Sequence, residues 1–407
     1  MANLNETVSA ERVHIGFFGL RNAGKSSLVN AVTGQDLSVV SPVKGTTTDP
    51  VKKAMELLPL GPVVIIDTPG YDDLGELGEL RIRKTGEILA KTDVAVLVLD
   101  AALGMTEDDE RLLERIKARN IPFLVASNKC DLLADRSGLS PEWLPVSAKT
   151  GEGVTRLKEK LAEIGRTSAP QKWIVADLIS PGDTVILVIP IDESAPKGRL
   201  ILPQQLTLRE LLDIHASVIC CQVEELGDMI ASLRRPPRMV ITDSQAFGRV
   251  SKIVPKDIAL TSFSILFARY KGELETLVAG AAALDRLRDG DKVLIAEGCT
   301  HHRQCNDIGS VKIPAWIGTY TGKKLEYCYS SGGSFPDDLS PYAMVVHCGG
   351  CMLNEAAMQY RISQANTQRV PIVNYGIAIA RMHGILQRSL EPFPVLRALL
   401  NSTQEEG

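Results

Sequence analysis

The segment from Gly19 to Ser26 constrains the fold most strongly. It reads G-x-x-x-x-G-K-S and lies between an apolar run at 13–18 and a helical pattern at 27–32. In a loop of this kind, backbone N–H groups and Lys25 surround the phosphates of a nucleotide, and the serine binds Mg²⁺. A phosphate-binding loop requires a strand before it and a helix after it. The sequence therefore predicts a Ras-like P-loop domain of the α/β class at the N-terminus.

Two further elements of a nucleotide site follow in the expected order. The threonine-rich stretch 45–49 is typical of switch I, and we predict Thr47 as its Mg²⁺ ligand. Asp67 ends an apolar run, so its carboxylate is expected to reach the Mg²⁺, while the N–H of Gly70 meets the γ-phosphate. Together with Lys25, Thr47 and Gly70 are the predicted catalytic residues.

The base-recognition elements complete the site. Asp131, in the motif N-K-C-D, accepts hydrogen bonds from both N1 and the exocyclic amino group of guanine, a paired donor edge that adenine lacks. A later S-A-K loop is expected to meet the guanine O6 through its backbone. Five ordered elements predict a Mg²⁺-dependent GTPase that releases GDP and phosphate. The predicted nucleotide-binding residues are Gly19, Asn22, Gly24, Lys25, Ser26, Ser27, Asp67, Asn128, Lys129, Asp131, Ser147, Ala148 and Lys149, with Ser26, Thr47 and Asp67 on Mg²⁺.

Two residues refine the expected mechanism. Tyr71 follows Gly70, where Ras-type enzymes carry a glutamine that orients water, so intrinsic hydrolysis is expected to be slow. Asn22 stands two positions before Gly24, and the first half of the chain resembles the Era and tRNA-modification GTPase group, whose asparagine at this position holds a K⁺ ion. The resemblance implies stimulation by K⁺ through Asn22; a turn-capping role is the alternative. Unlike that group, the chain shows no recognisable RNA-binding module after the G domain.

Length and composition limit the possible number of domains, the possible partners and the cellular location. At 407 residues the chain exceeds the size at which one hydrophobic core stops growing. A net charge of −4 without a basic tract argues against a nucleic-acid partner. The longest apolar runs are far shorter than the ~20 residues of a membrane span, and residues 1–12 lack the pattern of a secretory signal. We therefore expect a cytoplasmic protein of several domains without a membrane partner.

Cysteine and histidine mark a second candidate site. The chain has eight cysteines, which a cytosolic protein uses as thiols or metal ligands rather than in disulfides. A C-x-H motif with Cys299 and His301 follows one apolar strand, and an H-C-x-x-C motif with His347, Cys348 and Cys351 follows another. Ligands gather at the carboxyl ends of strands in open α/β sheets, so the two motifs are expected to converge. The residues suit either a [4Fe-4S] cluster or tetrahedral Zn²⁺.

Joined to the G domain, these two motifs resemble the FeFe-hydrogenase maturation GTPase family over essentially the whole chain. The resemblance implies a [4Fe-4S] cluster on Cys299, Cys348 and Cys351, with an exchangeable fourth ligand such as His301 or His347. It further implies a homodimer that carries the two-iron subcluster precursor to apo FeFe-hydrogenase and works with two radical-SAM maturases. The alternative is an Era-like GTPase of tRNA modification or ribosome assembly with a structural zinc site.

The region behind the G domain alternates strands with short helices, which predicts two smaller α/β domains with mostly parallel sheets. We expect a GTP-binding domain at 1–168, a dimerisation domain at 169–270 and a cluster-binding domain at 271–407. The middle domain shows no catalytic pattern, and His215 is predicted to be a core or capping residue. A single helix is expected over 377–390.

Overall fold

The computed structural model describes residues 9–34, 51–58, 60–70, 84–167, 172–191, 200–298, 307–332, 334–397 and 400. It divides into two compact units, Met1–Gln171 and Lys172–Gly407. Some residues singled out above lie outside the described ranges, namely Thr47, Tyr71, Cys299 and His301. Among the described residues, no helix is both long enough and apolar enough to cross a bilayer.

The first unit is built on one six-stranded sheet. Its strands are β1 (Val13–Phe18), β2 (Val51–Leu57), β3 (Gly61–Asp67), β4 (Val94–Asp100), β5 (Phe123–Asn128) and β6 (Leu144–Pro145). The order across the sheet is β2-β3-β1-β4-β5-β6, and all pairs are parallel except β2 with β3. Its helices are α1 (Lys25–Thr33), a stretch at 84–89, α2 (Glu107–Ala118) and α3 (Val154–Thr167).

Both faces of this sheet are covered, which explains the continuous apolar sequence of its central strands. On one face, Phe17 of β1 shares a buried cluster with Leu28 of α1 and Leu157 of α3. On the other face, Phe18 packs in a second cluster with Leu112 of α2. Because β1, β3 and β5 run parallel, their carboxyl ends lie at one edge of the sheet, where the predicted nucleotide motifs begin.

The second unit contains two four-stranded sheets, and every strand pair in both is parallel. The strands are β7 (Thr184–Val188), β8 (Ser217–Cys221), β9 (Met239–Thr242), β10 (Ala259–Ser262), β11 (Lys292–Ala296), β12 (Glu326–Ser330), β13 (Met344–His347) and β14 (Ile372–Asn374). Their orders are β10-β9-β7-β8 and β12-β11-β13-β14. The expected parallel α/β character of this half of the chain is therefore confirmed.

Short helices connect these strands. They are α4 (Leu202–Asp213), α5 (Leu226–Ser232), α6 (Phe247–Ile253), α7 (Phe263–Lys271), α8 (Leu274–Gly280), α9 (Ile313–Thr321), α10 (Glu355–Thr367), α11 (Tyr375–Met382) and α12 (Leu386–Ser389). A π-helical turn, Ile308–Lys312, precedes α9. Leu187 of β7, Phe267 of α7 and Ile295 of β11 belong to one hydrophobic cluster. Because this core is shared by both sheets, the division at residue 270 stays a prediction.

One local prediction differs from the structure, and another is resolved between its two alternatives. The single helix expected over 377–390 is wrong, because Gly384 adopts a left-handed conformation with φ of 68° and separates α11 from α12. His215, which was predicted to be a core or capping residue, is exposed and takes the capping position. It has φ of 60° and donates its N–H to the carbonyl of Leu212 at 3.0 Å, so it closes the end of α4 before the chain turns into β8.

Candidate functional site

The loop between β1 and α1 holds a buried lysine at the start of α1. Gly24 lies directly before α1 with φ of 88°, and a Cβ at this position would come within 2.3 Å of Nδ2 of Asn128. Lys25 is 6% exposed and donates from Nζ to the carbonyls of Gly19 at 3.0 Å and Leu20 at 2.8 Å. The ammonium and the N-terminus of α1 thus give this loop the positive potential that a phosphate group requires.

Two oxygen ligands lie together beside this loop. The register of the sheet places Asp67, the last residue of β3, opposite Phe17 of β1. The hydroxyl of Ser26 donates to Oδ2 of Asp67 at 2.5 Å, whereas Oδ1 of Asp67 is buried and has no hydrogen-bond partner within the described part of the chain. An unpaired buried carboxylate oxygen is costly, and hydroxyl and carboxylate oxygens are the ligands that Mg²⁺ prefers. Ser26 and Asp67 therefore fit a Mg²⁺ ion.

Asn22 lies in the same loop. It is exposed, has φ of 64°, and its side chain makes no hydrogen bond to another described residue. The amide oxygen is the type of ligand that a K⁺ ion takes, and the left-handed turn is also what the capping alternative requires.

The base-side motifs are joined by a network centred on Asn128. Its Nδ2 donates to the carbonyl of Ala23 at 2.9 Å, and its Oδ1 accepts from the N–H of Ala148 at 3.0 Å. The hydroxyl of Ser147 donates to Oδ1 of Asp131 at 2.6 Å. One side chain thereby connects the phosphate loop to the S-A-K loop, and a second pair orients the carboxylate that is predicted to read guanine.

A cavity of about 680 Å³ opens along these residues. Its lining includes seven predicted positions, namely Gly24, Ser27, Asn128, Lys129, Asp131, Ala148 and Lys149. It also includes Asn30, Ala31 and Gly34, which the motif analysis missed. Asn30 and Ala31 follow Ser27 at i+3 and i+4 and so share one face of α1, while Gly34 follows directly after the helix. That spacing is the signal by which the sequence reveals Asn30 and Ala31 once Ser27 is known to line the cavity.

The second candidate site lies where β11 and β13 end side by side. These strands are adjacent and parallel, with Ala296 opposite His347, so the two loops that follow emerge from one edge. The N–H of Gly298 donates to Sγ of Cys348 at 3.0 Å, and the N–H of Gly350 approaches the same sulfur at 3.4 Å. The backbone that leads into the C-x-H motif therefore contacts a thiol of the H-C-x-x-C motif.

The surroundings of Cys348 and Cys351 favour the protonated form of each thiol. Burial raises the pKa of Cys348 to about 11 and raises the pKa of Cys351 as well. Such thiols stay protonated in water at neutral pH, and a metal ion that bound the sulfur would displace the proton to solvent. N–H donors to sulfur are characteristic of iron-sulfur sites. Within the described residues, no group of three or more metal-ligating side chains is present. Cys299 and His301 fall outside those residues.

His347 is buried and uses both ring nitrogens. Nδ1 lies 2.7 Å from the carbonyl oxygen of Cys348, and Nε2 lies 2.7 Å from Nη1 of Arg361. A guanidinium only donates, so Nε2 accepts and Nδ1 carries the proton. Burial and the charge of Arg361 lower the pKa of His347 to about 3, which keeps the ring neutral. Coordination by His347 would require one of these two hydrogen bonds to break.

Arg361 is a residue that the motif analysis missed. It lies on α10, is 3% exposed, and donates to the carbonyl of Gly332 as well as to His347. Burial lowers its pKa to about 10, which leaves the guanidinium charged at neutral pH. The other buried residues of α10 are small or apolar. An arginine on the apolar face of a helix is the sequence signal that points to a special role.

Comparison with known families accounts for most of the chain. The model of the hydrogen maturase F tetramerization domain matches residues 275–392, and that of the hydrogen maturase F dimerization domain matches 174–272. The chain belongs to the hydrogen maturase F family. A third model, described as a 50S ribosome-binding GTPase, matches residues 14–129 and identifies the N-terminal unit as a GTPase domain. The resemblance seen in the sequence is thereby confirmed.

Relatives outside the hydrogen maturase F family share only part of this chain. The tRNA modification GTPase MnmE of Chromobacterium violaceum is 35% identical over 172 residues, which is 41% of this chain and 38% of that protein. The MnmE of Synechococcus sp. is 36% identical over 166 residues, or 39% of this chain and 35% of that protein. The chain thus spans less than two fifths of the length of these relatives.

Solved structures give a similar partial match. A crystal structure of Era in complex with MgGDPNP and part of 16S ribosomal RNA is 22% identical, with a TM-score of 0.35, and covers 51% of this chain and 91% of that one. The α/β class with an N-terminal P-loop domain is confirmed by the family model and by the sheet order described above.

Proposed function

We propose that this member of the hydrogen maturase F family is a GTPase scaffold that binds a [4Fe-4S] cluster and carries the two-iron subcluster precursor for insertion into apo FeFe-hydrogenase. Cys299, Cys348 and Cys351 are the proposed cluster ligands, with the fourth position exchangeable. The observation that carries the proposal is the contact of Gly298 with Sγ of Cys348, because it brings the residue before Cys299 to the second motif. Family membership supports the biological context.

At the proposed nucleotide site, each of several residues has a separate role. Lys25 neutralises the outer phosphates, the N–H of Gly70 meets the γ-phosphate, and Asp131 selects guanine. The proposed Mg²⁺ ligands are Ser26, Thr47 and Asp67. When bound, Mg²⁺ neutralises the charge that develops on the transferred phosphoryl group.

We also propose a function for each domain and a set of partners. Residues 1–168 bind GTP, 169–270 form the homodimer, and 271–407 hold the cluster. The family descriptions of dimerization and tetramerization domains support assembly of several copies. The proposed partners are apo FeFe-hydrogenase and two radical-SAM maturases, in the cytoplasm.

Anaerobic reconstitution of the full chain tests this proposal. We expect about four iron and four sulfide per chain, together with the absorption and EPR signals of a [4Fe-4S] cluster. With both maturases and GTP present, the loaded protein should activate apo FeFe-hydrogenase. A chain that takes up zinc in preference to iron and activates no hydrogenase would overturn the proposal and favour the tRNA or ribosome alternative.

Changing Asp131 to Asn is expected to weaken GTP binding by more than about tenfold and to favour xanthine nucleotides. An amide cannot accept both guanine hydrogens, and a buried donor left unpaired costs about 1–3 kcal/mol. Calorimetry with GTP and XTP measures both affinities. Asp135→Asn is the matched control, since Asp135 is an exposed carboxylate of the following loop. Equal GTP affinity in the wild type and Asp131→Asn would contradict the assignment.

Potassium is expected to stimulate hydrolysis through Asn22. At equal ionic strength, KCl should give a GTPase rate at least several-fold above NaCl, because an ion at this loop supplies the positive charge that an arginine finger otherwise provides. Asn22→Ala should erase the difference. The matched control is Asn120→Ala, which changes another exposed asparagine with φ of 53°. If both salts support the same wild-type rate, Asn22 is a turn residue only.

A further inference from the structure

Two buried cationic side chains flank the loop that carries Cys348 and Cys351. Arg361 of α10 and Lys271, the last residue of α7, are each 3% exposed. An arginine side chain is almost never fully buried unless an anion pairs with it. Arg361 forms no ion pair with any carboxylate of the described residues. Its buried charge therefore calls for an anion that the described side chains do not supply.

The guanidinium of Arg361 is fixed in place by three contacts. It donates to Nε2 of His347 at 2.7 Å and to the carbonyl of Gly332, and it lies 4.9 Å from the ring centroid of Phe335. His347 in turn contacts the carbonyl of Cys348 at 2.7 Å. The charge and the cysteine backbone are thus joined through one imidazole, and this arrangement holds the cation in position before any ligand binds.

Lys271 contacts the other end of the same loop. Its Nζ donates to the carbonyl of Leu353 at 3.0 Å, two residues after Cys351, and lies 6.0 Å from the ring centroid of Phe267. One buried cation is therefore attached beside each of the two described cysteines. A [4Fe-4S] core held by three thiolates is a net anion, and it becomes more negative when it is reduced.

We propose that Arg361 and Lys271 form a cationic cradle that supplies the counter-charge of the cluster and raises its reduction potential. This inference rests on the proposed function, because it requires a cluster on the H-C-x-x-C loop. Arg361 acts on Cys348 through His347 and is a positioning residue as well as a source of charge. Lys271 contributes charge from the side of Cys351. Both cations favour the reduced cluster, since its extra electron is attracted by fixed positive charge in a medium of low dielectric constant.

An EPR-monitored redox titration of the reconstituted full chain tests the cationic cradle. Arg361→Gln removes the charge but keeps a hydrogen-bond donor, and it should shift the reduction equilibrium at least tenfold toward the oxidised cluster, which is about 59 mV for a one-electron couple. Arg361→Lys keeps the charge and should shift it less. Lys271→Gln is an independent variant with the same expected direction, and it tests the cradle if Arg361→Gln does not fold. Arg369→Gln, an exposed arginine just after α10, should leave the potential unchanged.

The outcomes separate this inference from the function on which it rests. Wild-type protein that takes up no cluster overturns the proposed function and the cradle together. Wild-type protein with a cluster whose potential is the same in Arg361→Gln and Lys271→Gln overturns the cradle alone. A second readout is the rate at which a chelator removes iron, which we expect to rise several-fold in both variants because the anionic cluster has lost its counter-charge.

Discussion

Lys25→Ala is expected to lower kcat for GTP hydrolysis by at least about 100-fold while the protein stays folded and retains its cluster. Removing one preorganised donor from a charge-stabilising site typically costs this much. Lys25 is buried in the phosphate loop, where its ammonium contacts two backbone carbonyls, so alanine removes a fixed buried cation from the site. A phosphate-release assay at saturating GTP and Mg²⁺ measures the effect.

Two controls accompany this measurement. Lys52→Ala changes an exposed lysine of β2 in the same unit and should leave the rate unchanged. Thermal unfolding and iron content of Lys25→Ala should match the wild type, which shows that the loss is chemical rather than structural. Hydrolysis by Lys25→Ala at the wild-type rate would mean that the β1–α1 loop is not the catalytic centre.

Most residues of the nucleotide cavity could be predicted from the sequence because they lie in short contiguous motifs. A motif such as N-K-C-D fixes both the residue types and the turn that presents them, and the buried strand before it shows in the sequence as an apolar run. Asn30, Ala31 and Gly34 were not found, since they line the cavity through the orientation of α1 and carry no motif of their own. The face of α1 lines the cavity only because the base-side loops lie opposite it, and the sequence of α1 does not show where those loops lie.

The edge of the sheet where β11 and β13 end, which is the proposed cluster site, was only partly predictable from the sequence. The convergence of two loops follows from strand order, and the pairing of β11 with β13 agrees with that expectation. The contacts of His347 were not predictable, because they depend on Arg361, fourteen residues away on another element. The end of α11 before Gly384 was likewise not predicted. The apolar spacing of 377–390 continues past Gly384, whereas the helix does not.

Cys348→Ser is expected to abolish cluster binding and hydrogenase activation while GTP hydrolysis stays within about twofold of the wild type. Serine is nearly isosteric and still accepts the N–H of Gly298, so the fold of the loop should persist. A hydroxyl does not replace a soft thiolate as a ligand of iron and sulfide. Iron content, the EPR signal and phosphate release on one preparation measure all three quantities.

The matched control for this variant is Cys328→Ser, which changes a partly buried thiol of β12 in the same unit. It should bind iron and activate hydrogenase like the wild type. Normal hydrogenase maturation by Cys348→Ser would refute the scaffold function.

The two variants together determine how GTP and cluster are related. The proposed nucleotide and cluster sites belong to separate compact units. Any influence of GTP on the proposed cluster therefore requires that GTP favour one arrangement of the molecule over another. We expect Lys25→Ala to keep its cluster and yet fail to activate hydrogenase, whereas Cys348→Ser hydrolyses GTP and also fails. One variant would lack GTP hydrolysis and the other would lack the cluster, yet both would fail to activate hydrogenase. That result would mean that the two sites are coupled at a later step, the binding or release of a partner. If Lys25→Ala activates hydrogenase normally, GTP hydrolysis is accessory, and the P-loop domain does not control delivery.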